Sequence, residues 1–488
     1  MEKIEHKHIS YKELSLLILV IPLLILCSCK KLVEVDGPST SLNSANIYEN
    51  SNTAASVLTS VYTNLSAENL QSGSLPSMSY LGGLSSDELV MYNPSSAANL
   101  NGYYINDLGV NVAGYEFWNS TYPNIYIANA AIEGLSSSKT LEQSVKQQLI
   151  GEAKFIRAFC FFYLVNLYGD VPLTLTTDFK TNASMARTPK DQVWQQIITD
   201  LKDAQSLLSA DYKDATLSAL SLERVRPTKA AATALLARAY LYTNDWQNAE
   251  VQATSLLANP SYSLVDLNDA FKRNNKEAIW QLQPVIKGNT LEGQAFIIVS
   301  LMDASVYLSQ GLLNSFDPGD MRKTKWIADF NANGTVYPYA NKYKIPYNPE
   351  ATVEEYATVF RLAEQYLIRA EARVHLGKIP EGISDLNILR DRASDKTGNL
   401  PSRLKALSPN LSGNAALSAV EKERRTELFA EWGHRWLDLK RTGRIDDVMS
   451  VATVEKDPIA SWKNTSQLFP IPINDLKNNP RLVQNPGY

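Results

Sequence analysis

Residues 226–260 read RPTKAAATALLARAYLYTNDWQNAEVQATSLLANP, two helices and the turn between them. Pro227 stands where a helix opens, Thr243-Asn244-Asp245 turns the chain, and Trp246 to Ala258 runs back. Leu236, Ala237, Tyr240 and Ala249 fall at the offsets of the tetratricopeptide pattern. Small residues there let two antiparallel helices approach, Tyr240 packs between them, and Pro260 closes the unit.

A second unit stands at 360–393, FRLAEQYLIRAEARVHLGKIPEGISDLNILRDRA. Ala370 and Gly382 keep the separation of Ala237 and Ala249, and Leu386 and Leu389 supply the apolar face of the return helix. The copy departs at Arg373, where Tyr240 stands in the first. Two units separated by a long insertion predict a helical-hairpin scaffold carrying other structure, not a continuous solenoid.

Helical periodicity extends upstream. Asn52 to Leu65 carries Ala55, Leu58, Val61, Tyr62 and Leu65 on one stripe, and Phe117 to Leu135 is a helix interrupted at Pro123. Glu142 to Tyr168 is long and stops at Gly169-Asp170-Val171-Pro172, and Lys190 to Leu208 repeats apolar residues every three or four positions. The insertion Ser261 to Thr358 differs: Glu277 to Gln283 alternates like a short strand, which places Trp280 in the core, and Gly, Pro, Asn and Tyr crowd Gln310 to Pro349. Tyr80 to Tyr115 has the same loop-rich texture. The expected fold is therefore mostly α, a tetratricopeptide-like hairpin scaffold with loop-rich insertions at about 80–115 and 261–358 and a few short strands, forming one domain over 45–488. Loops on a rigid helical frame are where binding sites tend to sit.

The N-terminus has a different purpose. Lys3, Lys7 and Lys12 precede an apolar run from Leu14 to Leu26, too short to span a bilayer, so residues 1–28 read as a secretory signal. It ends in Leu26-Cys27-Ser28-Cys29, which resembles the bacterial lipobox; small Ser28 makes Cys29, not Cys27, the residue that receives lipid. Several acyl chains on one residue anchor firmly where a single chain does not. Residues 29–44 have mixed charge, Gly-Pro and Ser/Asn/Thr with no helical period, and read as a tether. Lys30 follows Cys29, so the Asp that retains some bacterial lipoproteins at the inner membrane is missing.

Composition removes several function classes. A net charge of -4 without a long Lys/Arg run makes nucleic acid a poor partner. Once the signal is gone, Cys29 and Cys160 are the only cysteines, so with Cys29 lipidated no intramolecular disulfide forms; Cys160 lies in an apolar helical run as a small buried hydrophobe. Across Glu421 to Arg441, Phe429, Trp432, Trp436 and Leu439 form a helical stripe, with Arg424, Arg425 and Arg435 in reach of Glu427 and Glu431. Arginines at that range would hold both glutamates ionised, which favours a salt-bridged helix over a glycosidase acid and nucleophile. His434 has no second His or Cys at metal spacing, so no metal or other cofactor is expected.

These motifs, taken together, resemble the SusD/RagB family of surface glycan- and nutrient-binding lipoproteins. The residues that carry the resemblance are Glu152 to Ala158 leading to Leu167 to Pro172, Arg226 to Ala231, Glu364 to Ala372, Glu423 to Leu428, Gly433 to Arg441, Phe469 to Pro472, and Gln484 to Tyr488. They run through the chain in family order. The resemblance implies a non-catalytic protein that captures an oligosaccharide at the outer face of the outer membrane. It also implies a partner, a SusC-like TonB-dependent transporter over which the protein sits as a lid, scaffold side down.

For the glycan, the chemistry needed is ring faces for C–H stacking with amides or carboxylates for hydroxyls. Tyr80, Asp87, Tyr92, Asn93, Tyr103 and Tyr104 offer it in the first loop-rich stretch, with Asn101 and Asn106 nearby, and Trp326, Tyr337 and Tyr339 in the second. Two other readings compete: a scaffold of an outer-membrane complex that binds no glycan, and a glycoside hydrolase.

Overall fold

The structure, a computed structural model, describes residues 46–67, 77–109, 114–301, 305–396 and 403–488. The signal, Cys29 and the tether lie outside the described residues.

Helices dominate. The first group is α1 (Ser51–Ala67), α2 (Met78–Ser85), α3 (Ala98–Tyr104), α4 (Glu116–Ser137), α5 (Gln143–Tyr168), α6 (Lys190–Leu207), α7 (Lys229–Tyr242) and α8 (Trp246–Leu257). The second is α9 (Leu362–His375), α10 (Ile379–Ala393), α11 (Gly413–Leu428), α12 (His434–Arg441) and α13 (Ile445–Lys456). Among the described residues six short strands pair in twos, all antiparallel: β1 (Leu89–Met91) with β3 (Val306–Leu308), β2 (Ala278–Leu282) with β6 (Ala357–Arg361), and β4 (Ile327–Ala332) with β5 (Thr335–Ala340).

Both predicted hairpins form. Asn244, at φ 59, turns α7 into α8, and the Asp245 carboxylate accepts from the Asn248 N–H to cap the return helix. In the second hairpin the need for glycine is steric, since a Cβ at Gly382 would lie 2.8 Å from the Ala370 carbonyl oxygen and 2.9 Å from Val374. The two hairpins, although far apart in sequence, stack on one another. Arg238 of α7 grips Glu364 of α9 through two buried bonds of 2.6 and 2.7 Å. Trp246 lies flat on His375, ring centroids 3.9 Å apart. Arg373, the residue that broke the repeat, bonds Glu250 of α8 and Asp385 of α10, and so joins the units. The helices thus form a stack continuous in space though interrupted along the chain, which α4, α5 and α6 extend.

The insertion leaves this stack after α8 and returns at α9. Its inner strands enter the core: Trp280 is fully buried beside Phe155, Phe159 and Phe360, its indole donating to the Val225 carbonyl at 2.8 Å.

Three local expectations are corrected. Residues 80–115 are largely ordered helix and strand among the described residues: α2 is wholly buried, because Gly82 lets it approach Gly433, whose Cα would lie 2.7 Å from a Cβ at position 82. The helix at Pro123 is not interrupted. It runs through from Glu116 to Ser137, with the Asn124 side chain donating to the Ser120 carbonyl at 3.0 Å beside the missing proline N–H. The stretch Glu421 to Arg441 is two helices, not one. α11 stops at Leu428, Phe429 is extended, and Ala430, Trp432 and Gly433 all take left-handed φ of 54°, 46° and 68° before α12 begins.

Such a turn is costly for residues bearing a Cβ and persists only where its surroundings over-determine it. Here Trp432 N–H donates to Ser79 Oγ and its indole to the Thr358 carbonyl, both at 2.8 Å. Glu431 is held by Arg361 through two bonds of 2.8 Å and by Lys342. Glu427 is held by Arg361 at 2.6 Å, Arg322 at 2.8 Å and Arg392. The expected local partners are engaged elsewhere: Arg424 pairs with Asp438, and Arg425 and Arg435 with Asp87. Burial alone would raise the pKa of Glu427, but Arg392, Arg361 and Arg322 hold it well below the usual carboxylate range. The conclusion that both glutamates are structural stands, with different arginines.

Candidate glycan-binding surface

Strand alternation decides which aromatic rings reach the surface. On β1, Leu89 and Met91 point into the core, which turns Val90 and Tyr92 outward; on β3, Val306 and Leu308 are buried and Tyr307 points out. The register places Val90 opposite Tyr307, and the ladder continues as Tyr92 N–H donates to the Ser305 carbonyl at 2.9 Å. The β4/β5 hairpin, closed by Asn333-Gly334 with φ of 50° and 80°, brings Tyr337 against this face. Tyr337 meets Tyr92 edge-to-face with ring centroids 5.5 Å apart and Tyr307 with centroids 5.4 Å apart. Tyr92 keeps 41% of its surface open.

The result is a platform of three tyrosines in which Tyr337 meets each of the other two edge-to-face. Each ring also carries a phenol that can donate or accept. Asn93 follows directly, its Oδ1 accepting from Ser95 Oγ at 2.7 Å.

Beside the platform, sharing Val90, opens a cleft of about 530 Å³ bounded by Asp87, Tyr104, Arg425, Arg435 and Lys456. Asp87 accepts from Arg425 and from Arg435, each at 2.7 Å. Burial pushes its pKa up, but bonding and proximity to Arg435 and Arg425 bring it down to about 2. Its neighbour Glu88 is raised to about 7 by burial and by Asp87. The Lys456 ammonium sits over the Tyr104 ring at 5.2 Å, lowered by burial to about 7.

The sequence candidates therefore divide. Tyr92 and Tyr337, named in different stretches, are brought into contact, and Tyr339 and Asn93 are partly exposed close by along the chain. Asp87 borders the neighbouring cleft, as does Tyr104, whose ring is itself buried. Tyr80 and Trp326 are fully buried, and Tyr103 nearly so. Tyr103 donates to Glu116 and accepts from the Gly114 N–H, and the Trp326 indole donates to the Leu267 carbonyl at 2.8 Å. None of these three rings has a face open to a ligand. Asn106 is buried too, bonded to Ser85 and Thr453. Tyr307 was not anticipated; the alternation in Val306-Tyr307-Leu308 was the signal that marks it as outward.

Comparison with known proteins follows the same line. Residues 42–241 match a family described as "Starch-binding associating with outer membrane", and residues 321–488 match the SusD family. A SusD-like protein of Formosa agariphila is 25% identical, with 98% of this chain and 99% of the relative covered. The starch-binding protein SusD of Bacteroides thetaiotaomicron is 22% identical over 73% of this chain and 74% of its own. Among solved structures, a SusD superfamily protein from Bacteroides vulgatus superposes with a TM-score of 0.75 at 22% identity, covering 90% of this chain and 99% of that one. Surface glycan-binding protein A from Bacteroides fluxus gives 0.73 at 20% identity, covering 89% and 99%. The fold, the two matched stretches and the near full-length relative agree: the chain belongs to the SusD/RagB family of non-catalytic, glycan-binding surface proteins.

Proposed function

We propose that this protein captures an oligosaccharide on the Tyr92/Tyr307/Tyr337 platform and passes it to a SusC-like TonB-dependent transporter while held to the outer membrane by lipid on Cys29. The observation that carries the reading is the platform itself. Three mutually braced tyrosines at an exposed strand edge present apolar faces ringed by phenols, the complement of a pyranose ring's C–H face and equatorial hydroxyls. Asp87 in the adjoining cleft, with the buried Tyr104 behind it, would extend contacts to a second sugar unit, and Tyr339 and Asn93 to the flanks. The tether at 29–44 would let the domain swing without leaving the transporter. Membership of a non-catalytic family and the ionised, arginine-locked state of Glu427 and Glu431 both oppose hydrolysis.

Affinity electrophoresis of the full chain against a polysaccharide panel tests this. Tyr337→Ala removes the ring that braces the other two and should weaken binding by roughly ten-fold or more, the scale of one lost base-like stacking contact, with released sugar absent throughout. Retained affinity in Tyr337→Ala and Tyr92→Ala would move the site elsewhere. Failure to bind any glycan would favour the scaffold reading.

A further inference from the structure

Most buried cations of this protein are matched by carboxylates: Arg157 by Asp200, Arg226 by Glu152, Arg238 by Glu364, Arg441 by Asp438 and Glu371. Three cations that face one cleft, Lys190 exposed and Arg187 and Lys440 partly so, have no such match. Arg187, Lys190 and Lys440 line a space of about 740 Å³ where the end of α5, the start of α6 and α12 meet the C-terminal segment, and none of the three forms an ion pair among the described residues. Arg187 donates to the carbonyls of Asp170 at 2.7 Å, Tyr168 at 3.1 Å and Val483 at 2.8 Å, and to Asn485 Oδ1 at 2.6 Å. All four acceptors are neutral. The Lys440 ammonium donates to the Asn166 carbonyl. Among the described lining residues the one carboxylate is Asp170, and its Oδ1 is taken by the Lys190 N–H at 2.8 Å.

The rest of the wall is polar and aromatic. Trp194 stands partly exposed with Tyr242 behind it, ring centroids 6.1 Å apart, and the Tyr242 phenol is buried without a hydrogen-bond partner. Asn464 and Gln467 add amides. We infer that this cleft is a second ligand site, for a sugar unit that carries negative charge as a uronate or sulfate.

Each part of the wall has a counterpart in such a ligand. The anion finds three cations in no ion pair among the described residues, with Arg187 and Lys440 held by neutral acceptors, the amides meet hydroxyls, and Trp194 offers a ring face. The space falls in the range of small-molecule sites. Burial and the neighbouring Lys190 lower Lys440 to about 7, and a bound anion would restore its charge. An acidic protein segment would satisfy the cations but leave the ring and amides without a role. The choice of a sugar as the anion's carrier rests on the glycan-binding reading above; the cleft shares no residue with the tyrosine platform, so the two can fail separately.

Calorimetry of the full chain at low salt, with tetragalacturonate as probe and neutral galactotetraose as control, tests the inference. The acidic oligomer should bind the more tightly. Lys190→Gln, at an exposed position, should weaken it by about five-fold and Lys190→Gln with Lys440→Gln by about ten-fold or more, the scale of lost charge-assisted hydrogen bonds. Tyr92→Ala should leave in place the preference for the acidic over the neutral oligomer. Equal affinity for the two oligomers, indifference to Lys190→Gln, or loss of that preference in Tyr92→Ala would each overturn the inference. Tighter binding of a Glu-rich peptide than of tetragalacturonate would overturn the sugar assignment. Neutral glycans that bind through the platform while acidic ones gain nothing would defeat this site and leave the first reading intact.

Discussion

Replacing Arg361 with Met should destabilise the protein strongly and in a pH-dependent way. Arg361 is nearly inaccessible and makes five bonds: two of 2.8 Å to Glu431, one of 2.6 Å to the Glu427 carboxylate, one of 2.8 Å to the Glu427 carbonyl oxygen and one of 3.0 Å to Glu277. Met fills similar volume but leaves three buried carboxylates short of positive charge. Each keeps other cationic support: Glu431 has Lys342, Glu277 has Arg392, and Glu427 has both Arg322 and Arg392. Breaking a buried pair by removing one member costs about 3–5 kcal/mol. The unit from Tyr48 to Tyr488 spans roughly 440 residues, and at about 2.1 cal/mol/K per residue its unfolding entropy makes each kcal/mol worth about 1 °C, so Tm should fall by about 3–5 °C.

The sign of the pH effect follows from the native pKa. Glu427 and Glu431 are held below their usual values, so their contribution is present above the unfolded glutamate pKa of about 4.3 and fades as pH falls through the lower native one. The variant loses much of that depression. Its deficit should be full at pH 7 and shrink steadily below about pH 4.5. Differential scanning fluorimetry of both proteins between pH 7 and pH 3.5 reads this directly. A Tm within about 1 °C of the parent at pH 7, or a deficit that does not change on acidification, would refute the claim that charge pairing in this network holds the turn after α11.

Other outcomes follow from single contacts. Gly382→Ala puts a methyl 2.8 Å from the Ala370 carbonyl and should cost about 1–3 kcal/mol by overpacking, read by urea denaturation; an unchanged midpoint would mean the hairpin opens freely. Cys160 is buried and burial pushes its thiol up, so a thiol reagent should label it only after unfolding, as peptide mass spectrometry can locate; rapid native labelling would contradict its placement. On the proposed lipidation, Cys29→Ser should leave the protein unable to incorporate labelled palmitate and release it from the membrane fraction. Tyr103→Phe, which removes two hydrogen bonds but no open ring face, should lower stability by about 1–2 kcal/mol without changing glycan affinity, and a loss of affinity would place that ring in the site after all.

Much of the scaffold is legible in the sequence because its determinants are local. Ala237 with Ala249, and Ala370 with Gly382, record the closest approach of two helices joined by a short turn, and such a contact leaves a fixed spacing. Trp280 could be assigned to the core from its strand alone. The continuous stack could not be read, because it depends on Arg238 meeting Glu364 and Arg373 meeting Glu250, pairs more than a hundred residues apart.

Sequence by itself determined the helical class, both hairpins and the family, and lipidation of Cys29 is a proposal that rests on the lipobox-like motif alone. Sequence also placed Tyr92 and Tyr337 among the candidates, though in separate stretches. Only the tertiary structure decided that these two touch, that Tyr307 completes them, and that Tyr80, Tyr103 and Trp326 are interior. The reason is physical: a tyrosine in a polar stretch looks the same whether its strand faces water or the core, and which way it faces is set by partners that pair with it from two hundred residues away. The arginines of Glu427 and Glu431 make the same point. Helical reach suggested Arg424, Arg425 and Arg435, but the left-handed turn after Leu428 redirects the chain, and the charges that pair are those the fold carries in from Arg322, Lys342, Arg361 and Arg392.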